Sequence, residues 1–494
     1  HYVARVLPSL GVEGVSVSTF GRWAARLVAQ TFPKLPSTMS EETPAVVSRA
    51  KSHAGMLAAV DRTVARIEVG VEARMRDSLG KWPEGATALR AWDATRVAAR
   101  GNGTMGEGSS SAARSPIDAR LTLLSQWSAG KRSVPGVDSS SGLSDVTRGA
   151  IDRLVARERQ VTRSVASVWD EVLTSRALLS EVLSGPAGFG AAQIEQVHAW
   201  CVRQSRVRVE GERDGELPTL DAEDRPLLLR CWQALRGPLV DEAGKPIRFA
   251  HVFVDEVQDA SAVELRVLLD LTGPDRCITL AGDVAQRMLD EGDERGEFDW
   301  DRLLDDLGVQ HTKVEPLHVS YRSTAEIIEF ARLALGPLAH ATMPDTTRHG
   351  PPVELFGFAS PGEAVAWLAE SLRQLARDEP DANVALIARF PQQADVYFDG
   401  LSRAEVANVR RVSQQDFSWE PGVDVTDVRQ TKGLEFDEVV LLETTTATYP
   451  VAPAARHALY VAATRASHQL WCVASDEPST LVTDAIDLHD ADAV

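Results

Sequence analysis

FAHVFVDEVQD, residues 249–259, decides how the rest of the chain is read. Val252, Phe253 and Val254, with His251 before them, form an apolar run suited to a short buried strand. The run ends on Asp255 and Glu256, so a strand here delivers two adjacent carboxylates to its carboxyl end. A site that handles a magnesium-bound triphosphate needs one carboxylate to hold the ion, often through water. It needs another to accept the proton of the attacking water. Neighbouring acids at a strand tip can divide those roles. Asp-Glu pairs are also common in plain acidic turns, so the pair alone decides nothing.

Outward from this stretch, the chain beyond Pro246 alternates between two patterns. RCITLAGD (276–283), PVELFGF (352–358), NVALIAR (383–389), DEVVLLE (437–443) and HQLWCVA (468–474) are short apolar runs suited to strands buried on both faces. Between them lie helical segments such as SAVELRVLLDLT (261–272), TAEIIEFARLAL (324–335) and GEAVAWLAESLRQLAR (362–377). Such alternation predicts a parallel sheet covered by helices, with ligands at the carboxyl ends of its strands. Upstream, His1 to about Gln30 reads as a strand followed by an amphipathic helix in VSVSTFGRWAARLV. From about Ser40 to Pro218 the pattern is helical. In IDRLVARERQVTRSVASVWDEVL (151–173), Ile151, Leu154, Val155, Val161, Val165 and Val168 follow one face. GNGTMGEGSSS (101–111) and VDSSSG (137–142) predict a mobile excursion within that region.

Bulk properties narrow the classes. The 494 residues are 44% hydrophobic and 25% charged, an ordinary globular composition with room for several domains. No apolar stretch reaches the ~20 residues of a membrane span, and no secretory leader is evident. Cys201, Cys231, Cys277 and Cys472 are far apart in apolar contexts, which predicts buried thiols, no zinc site and a reducing, cytoplasmic setting. The formal net charge of −19 argues against tight nonspecific binding to duplex and leaves room for a protein partner.

Further motifs turn the carboxylate pair into a pattern. TLAGDVAQ carries Gly282, Asp283 and Gln286, and a glutamine there can sense a γ-phosphate or orient water. VSYRSTAEI places Arg322 before a helix, and LYVAATRAS places Arg465 on another. A guanidinium suits a γ-phosphate because its planar fork donates two hydrogen bonds and spreads charge. The order DExQD, GDxxQ, YRS, KGLEFDEV, YVAATRA leaves chance little room. It resembles superfamily-1 helicases of the UvrD/Rep kind over about Pro246 to Ala474, and VSTFGRW near Thr19 matches a further motif of the first motor domain, which would put Thr19 on the nucleic-acid side.

The resemblance implies an α/β fold with two RecA-like parallel-sheet domains of the P-loop NTPase type, a large helical insertion in the first, and ATP in the cleft between the lobes. Residues 1–40 would begin the first domain, 41–217 form the insertion, 218–318 complete the first domain, 319–480 form the second and 481–494 a tail. Asp255 would be the Mg2+ carboxylate and Glu256 the general base. Gln286 would couple the γ-phosphate to the nucleic-acid side, and Arg322 and Arg465 would act as arginine fingers. Glu435 would meet the ribose, with Gly433 shaping the turn beside it. Implied ligands are ATP and Mg2+, with a single-stranded nucleic acid as partner and neither a membrane nor another small substrate.

The departures are equally specific. No GxxxxGK[ST] loop occurs: the Gly-Lys pairs at Gly80, Gly130 and Gly244 lack the earlier glycine and the following hydroxyl. In the family that loop precedes VSTF, so it is expected upstream of His1, with weak or no ATPase activity from residues 1–494 alone. RMLDEGDERGEFDW (287–300) is acidic where relatives carry a base-stacking segment, and Asp427 and Arg429 stand where relatives have Thr and His on the nucleic-acid side. A stacking aromatic contributes ~1–3 kcal/mol per base, so its loss weakens the grip on single strands. RVLPSLG (5–11), LDAEDRPLLLRCW (220–232) and GDVAQR look like the HelD-like branch, whose members bind bacterial RNA polymerase and use ATP to free it from nucleic acid. The two functional readings are therefore a helicase or translocase motor and a polymerase-remodelling ATPase; a dead motor fold is the third.

Other residues read as scaffolding. Arg148, Arg153, Arg157, Arg159 and Arg163 alternate with Asp152, Glu158 and Asp170, the mark of a solvated helix face with local ion pairs. Trp169 and Trp232 read as core, and His251 and His311 lack partners at metal-ligand spacing.

Overall fold

The computed structural model describes residues 14–101, 117–137, 140–184, 188–211, 217–272, 277–286, 299–309, 312–317, 319–339, 345–418 and 420–492. RVLPSLG, residues 102–111 of the Gly/Ser stretch, the acidic residues 287–298, His311 and the side chain of Arg163 lie outside that description. The chain divides into two units: residues 1–281 with 299–312, and residues 282–298 with 313–494.

Helices make the body of the first unit: α1 (Phe20–Thr31), α2 (Ala45–Ser52), α3 (Gly55–Gly80), α4 (Gly85–Gly101), α5 (Ile117–Ser128), α6 (Asp145–Arg163), α7 (Val165–Thr174), α8 (Arg176–Leu183), α9 (Ala191–Glu210), α10 (Asp224–Arg236), α11 (Ala262–Leu269) and α12 (Trp300–Asp306). Sequence explains where several begin. The Thr19 hydroxyl accepts the Arg22 N–H at 3.3 Å, and α1 then buries Ala24, Leu27 and Val28 at helical spacing. Ser144 caps α6 in the same way. The single face expected along 151–173 is broken at Ser164, where φ −86° and ψ 62° separate α6 from α7 and leave Val161 exposed. Trp169 is buried as expected, and Trp232 is partly buried against the same core.

One polar cluster sits inside this apolar body. The Lys51 ammonium is 2% exposed and lies 2.5 Å from both Asp221 and Asp224. Thr43 and the Trp200 indole also donate to Asp221, at 2.7 and 3.0 Å. The acids of LDAEDRPLLLRCW thus tie the start of α10 to α2 and α9.

The only sheet among the described residues of this unit is a parallel pair, β1 (Val252–Val254) and β2 (Ile278–Leu280). Burial on both faces was expected here and does not occur: Phe253 is 63% exposed, and no residue of either strand is fully buried. Cys277, just before β2, is exposed for the same reason, correcting the expected buried thiol.

The second unit carries β3 (Val319–Ser320) paired with β4 (Asp345–Thr346), and a wide sheet of β5 (Glu354–Gly357), β6 (Asn383–Ala388), β7 (Val409–Arg411), β8 (Gly422–Asp427), β9 (Phe436–Leu442) and β10 (Ala466–Ala474). Its order is β5-β10-β9-β6-β8-β7, and every pairing is parallel. Helices α13 (Ala325–Leu335), α14 (Pro361–Asp378), α15 (Pro391–Arg403), α16 (Pro453–Ala463) and α17 (Thr480–Asp492) cover it. Successive side chains point to opposite faces. Ala385 and Ile387 therefore join Val439, Leu441 and Cys472 against α13, α16 and α17. Val384, Leu386 and Ala388 join Val440, Leu442 and Val473 against α14 and α15. Here NVALIAR and DEVVLLE do mark strands buried on both sides, whereas PVELFGF forms the edge strand β5, none of whose residues is fully buried.

Candidate functional site

In the first unit, Asp255 and Glu256 follow β1 directly, at the carboxyl end expected of them. Glu256 adopts a left-handed backbone, φ 53°, which is uncommon for a residue with a Cβ and turns the side chain out of the strand line. Its carboxylate accepts the Gln258 amide at 2.6 Å, while one Asp255 oxygen accepts the Glu256 N–H at 3.0 Å. Asp255 is exposed, and its second oxygen has no hydrogen-bond partner among the described residues. That suits Mg2+, which takes one or two protein carboxylates and keeps much of its water. Among the described residues no group of three or more His, Cys, Asp or Glu side chains could cage a metal.

In the second unit, four motifs from distant sequence interlock. Arg465 is 1% exposed. Its Nε donates to Val461 O at 3.0 Å, Nη1 to Leu434 O at 3.1 Å and Nη2 to Gln286 Oε1 at 2.6 Å. A buried guanidinium is tolerable only when its donors find acceptors, and three separate segments supply them. Phe436 N–H donates to Arg465 O at 2.9 Å, joining KGLE to ATRA. Ser323, beside Arg322, donates its hydroxyl to Ala466 O at 2.7 Å, which joins YRS to ATRA. Arg322 itself forms an ion pair with Glu435, both side chains being about half exposed.

Two expectations about this cluster need correcting. Arg465 is not on a helix: α16 ends at Ala463, and Arg465 stands in the tight turn before β10. The Thr464 hydroxyl donates back to Tyr460 O and Val461 O, closing the last helical turn without glycine or proline. The cluster also lies at the amino ends of β9 and β10, opposite to the carboxyl ends where ligands were expected. Asp427 is at the other edge. It pairs with Ala388, which pairs with Leu442, so Asp427 lies a β9 length from Phe436, roughly 20 Å. Asp427 is buried, with one oxygen accepting the Arg429 N–H at 3.1 Å, and Arg429 is exposed. Gly433 has φ +73° with nothing within 4 Å of a built Cβ, so the turn needs its backbone freedom rather than its small size. Thr19 is exposed and occupied as the cap of α1.

Residues the motif reading left out also belong here. Tyr321, immediately before Arg322, is 76% exposed. Its place in YRS was the available signal. Tyr460 donates to Asp283 at 3.3 Å, and His457 lies 2.9 Å from Ala285 O, docking GDVAQ onto α16. Burial and the Asp283 charge push the Tyr460 phenol well above its usual range, so it stays a protonated donor.

With this geometry, comparison with known proteins points to one class. Residues 422–473, which run from β8 to β10, match the family model of the UvrD-like helicase C-terminal domain. Over 226 residues the chain is 28% identical to the ATP-dependent DNA helicase UvrD2 of Mycobacterium tuberculosis (strain H37Rv), and equally to that of Mycobacterium bovis. That alignment takes in 44% of this chain and only 30% of either relative. Among solved structures, the C-terminal domain of a possible DNA helicase from Lactobacillus plantarum WCFS1 is 24% identical, with a TM-score of 0.28, covering 33% of this chain and 92% of that one. The family model and the two relatives show a likeness to UvrD-like helicases, centred on the part of the chain that holds β8 to β10. No helix among the described residues is long and apolar enough to cross a membrane.

Proposed function

We propose that the chain supplies ATP-hydrolysing residues of a UvrD-type motor that moves on single-stranded nucleic acid. The observation that carries this reading is the interlock of GDVAQ, YRS, KGLE and ATRA around the buried Arg465 guanidinium. Scaffolding alone gives no reason to spend a fully buried arginine, an exposed arginine and an exposed tyrosine at one sheet edge.

In this reading the part of the chain holding β1 and β2 and the part holding the wide sheet are both RecA-like. Arg322 is released from Glu435 to meet the γ-phosphate, and Glu435 turns to the ribose. Arg465 and Gln286 meet the same phosphate, and the Tyr321 ring stacks on the base. Glu256, oriented by Gln258, accepts the proton of the attacking water. Mg2+, held through Asp255, would neutralise charge on the phosphates. The Asp427–Arg429 edge, on the far side of the sheet, is left for the nucleic acid.

The test is Glu256→Gln in the full-length protein. Hydrolysis stimulated by single strands is expected to fall at least about 100-fold while nucleotide affinity stays within about threefold, because the base is lost and the metal ligand remains. Unchanged turnover would remove Glu256 from the chemistry and, with it, the motor reading.

A further inference from the structure

The hydrogen bonds around Asp283 have a direction imposed by chemistry. An ionised carboxylate only accepts and a guanidinium only donates. Asp283 Oδ1 is taken by the Ala285 N–H at 2.9 Å, which turns Oδ2 toward Gln286 and Tyr460. Oδ2 then accepts the Gln286 Nε2 at 2.9 Å and the Tyr460 hydroxyl at 3.3 Å. With its amino group committed to Asp283, the Gln286 amide has one orientation left, and its carbonyl oxygen faces Arg465 Nη2 at 2.6 Å.

We propose that Asp283 is a positioning residue: it fixes the Gln286 amide so that its carbonyl holds Arg465 at the place where a γ-phosphate would take it over. Gln286 can hold the guanidinium only while its oxygen faces it; a flipped amide sets donor against donor. The turn is pinned besides by the Gln286 N–H on Asp283 O and by His457 on Ala285 O, so the backbone does not move to relieve the conflict. Tyr460 contributes by occupying Oδ2 as a donor.

Swapping the polarity tests this directly. In Asp283→Asn, Oδ1 can still cap the Ala285 N–H, but the amino group now occupies the position facing Gln286. The Gln286 amide must flip and present its own amino group to Arg465. Gln286→Glu in that background removes the need for orientation, since both terminal atoms of glutamate accept. The readout is hydrogen exchange of the Arg465 guanidinium by NMR of the full chain labelled at every nitrogen, with backbone exchange in α16 as the control for folding. Asp283→Asn should speed guanidinium exchange at least tenfold with α16 unchanged, and the double variant should return to within about threefold of the parent. Parent-like exchange in Asp283→Asn, or a double variant as fast as the single, overturns the proposal. If Asp283→Asn loosens the turn, the Ala285 and Gln286 backbone amides lose protection too, and the double variant must then recover both or the proposal falls. The role given to Arg465 rests on the motor reading. The exchange needs no nucleotide, so its failure and a failure of the hydrolysis test stay distinct.

Discussion

The two parallel sheets of this chain start from similar sequence and end in different surroundings. VFVDE and VVLLE are both short apolar runs closing on acids, yet Phe253 is largely exposed while Val440, Leu441 and Leu442 are fully covered. The difference lies in what packs on each strand. The wide sheet separates two apolar clusters, one on each face. The buried core of the first unit is built from its helices and includes no side chain of β1 or β2. An apolar run therefore reports that a strand can be buried, and neighbouring elements decide whether it is.

The comparison predicts where each unit keeps its stability. The largest effect is expected at the buried charge cluster of the first unit. Lys51→Met leaves Asp221 and Asp224 facing each other without their cation, and should cost about 3–5 kcal/mol in denaturant unfolding. Adding Asp224→Asn should recover part of that loss, because one uncompensated charge is gone. A cost under about 1 kcal/mol for Lys51→Met would mean that the cluster is incidental to the helical body. Next come the sheets themselves. Leu386→Ala, at the centre of the covered sheet, should cost about 2–5 kcal/mol, and Phe253→Ala only about 0.5 kcal/mol. Equal losses at the two sites would erase the contrast.

Sequence carried much of this. The motif order was readable because reactive side chains recur at fixed offsets, and four of the six strands of the wide sheet, β5, β6, β9 and β10, announce themselves as apolar runs; β7 (VRR) and β8 (GVDVTD) carry charged residues and do not. What it hid has physical reasons. The turn at Arg465 is made by a threonine bonding back to the helix, without glycine or proline, so YVAATRA reads as continuous helix. GDVAQ follows a strand of the first unit, yet its Ala285 is buried in the core of the second, a crossing that local pattern does not record. Lys51 and Asp221 are 170 positions apart, and nothing periodic links them.

The smallest effect expected concerns a carboxylate that the wide sheet has trapped. Glu438 lies on β9, flanked in register by Val384 and Gln469 on the adjoining strands. Burial, with the charges of Glu379 and Asp437 nearby, pushes its carboxyl up to about 7. The folded state then binds a proton that the unfolded chain releases above its ordinary value. Between the ordinary glutamate range and about 7, stability therefore falls as pH rises, and above 7 the full penalty of the ionised form remains. Glu438→Gln removes that penalty. Its melting temperature should exceed the parent's by roughly 1–3 °C at pH 8, and the two should converge near pH 5. A Glu438→Gln curve parallel to the parent's from pH 5 to 8 would show that the covered sheet leaves this carboxylate as well hydrated as one in an open turn.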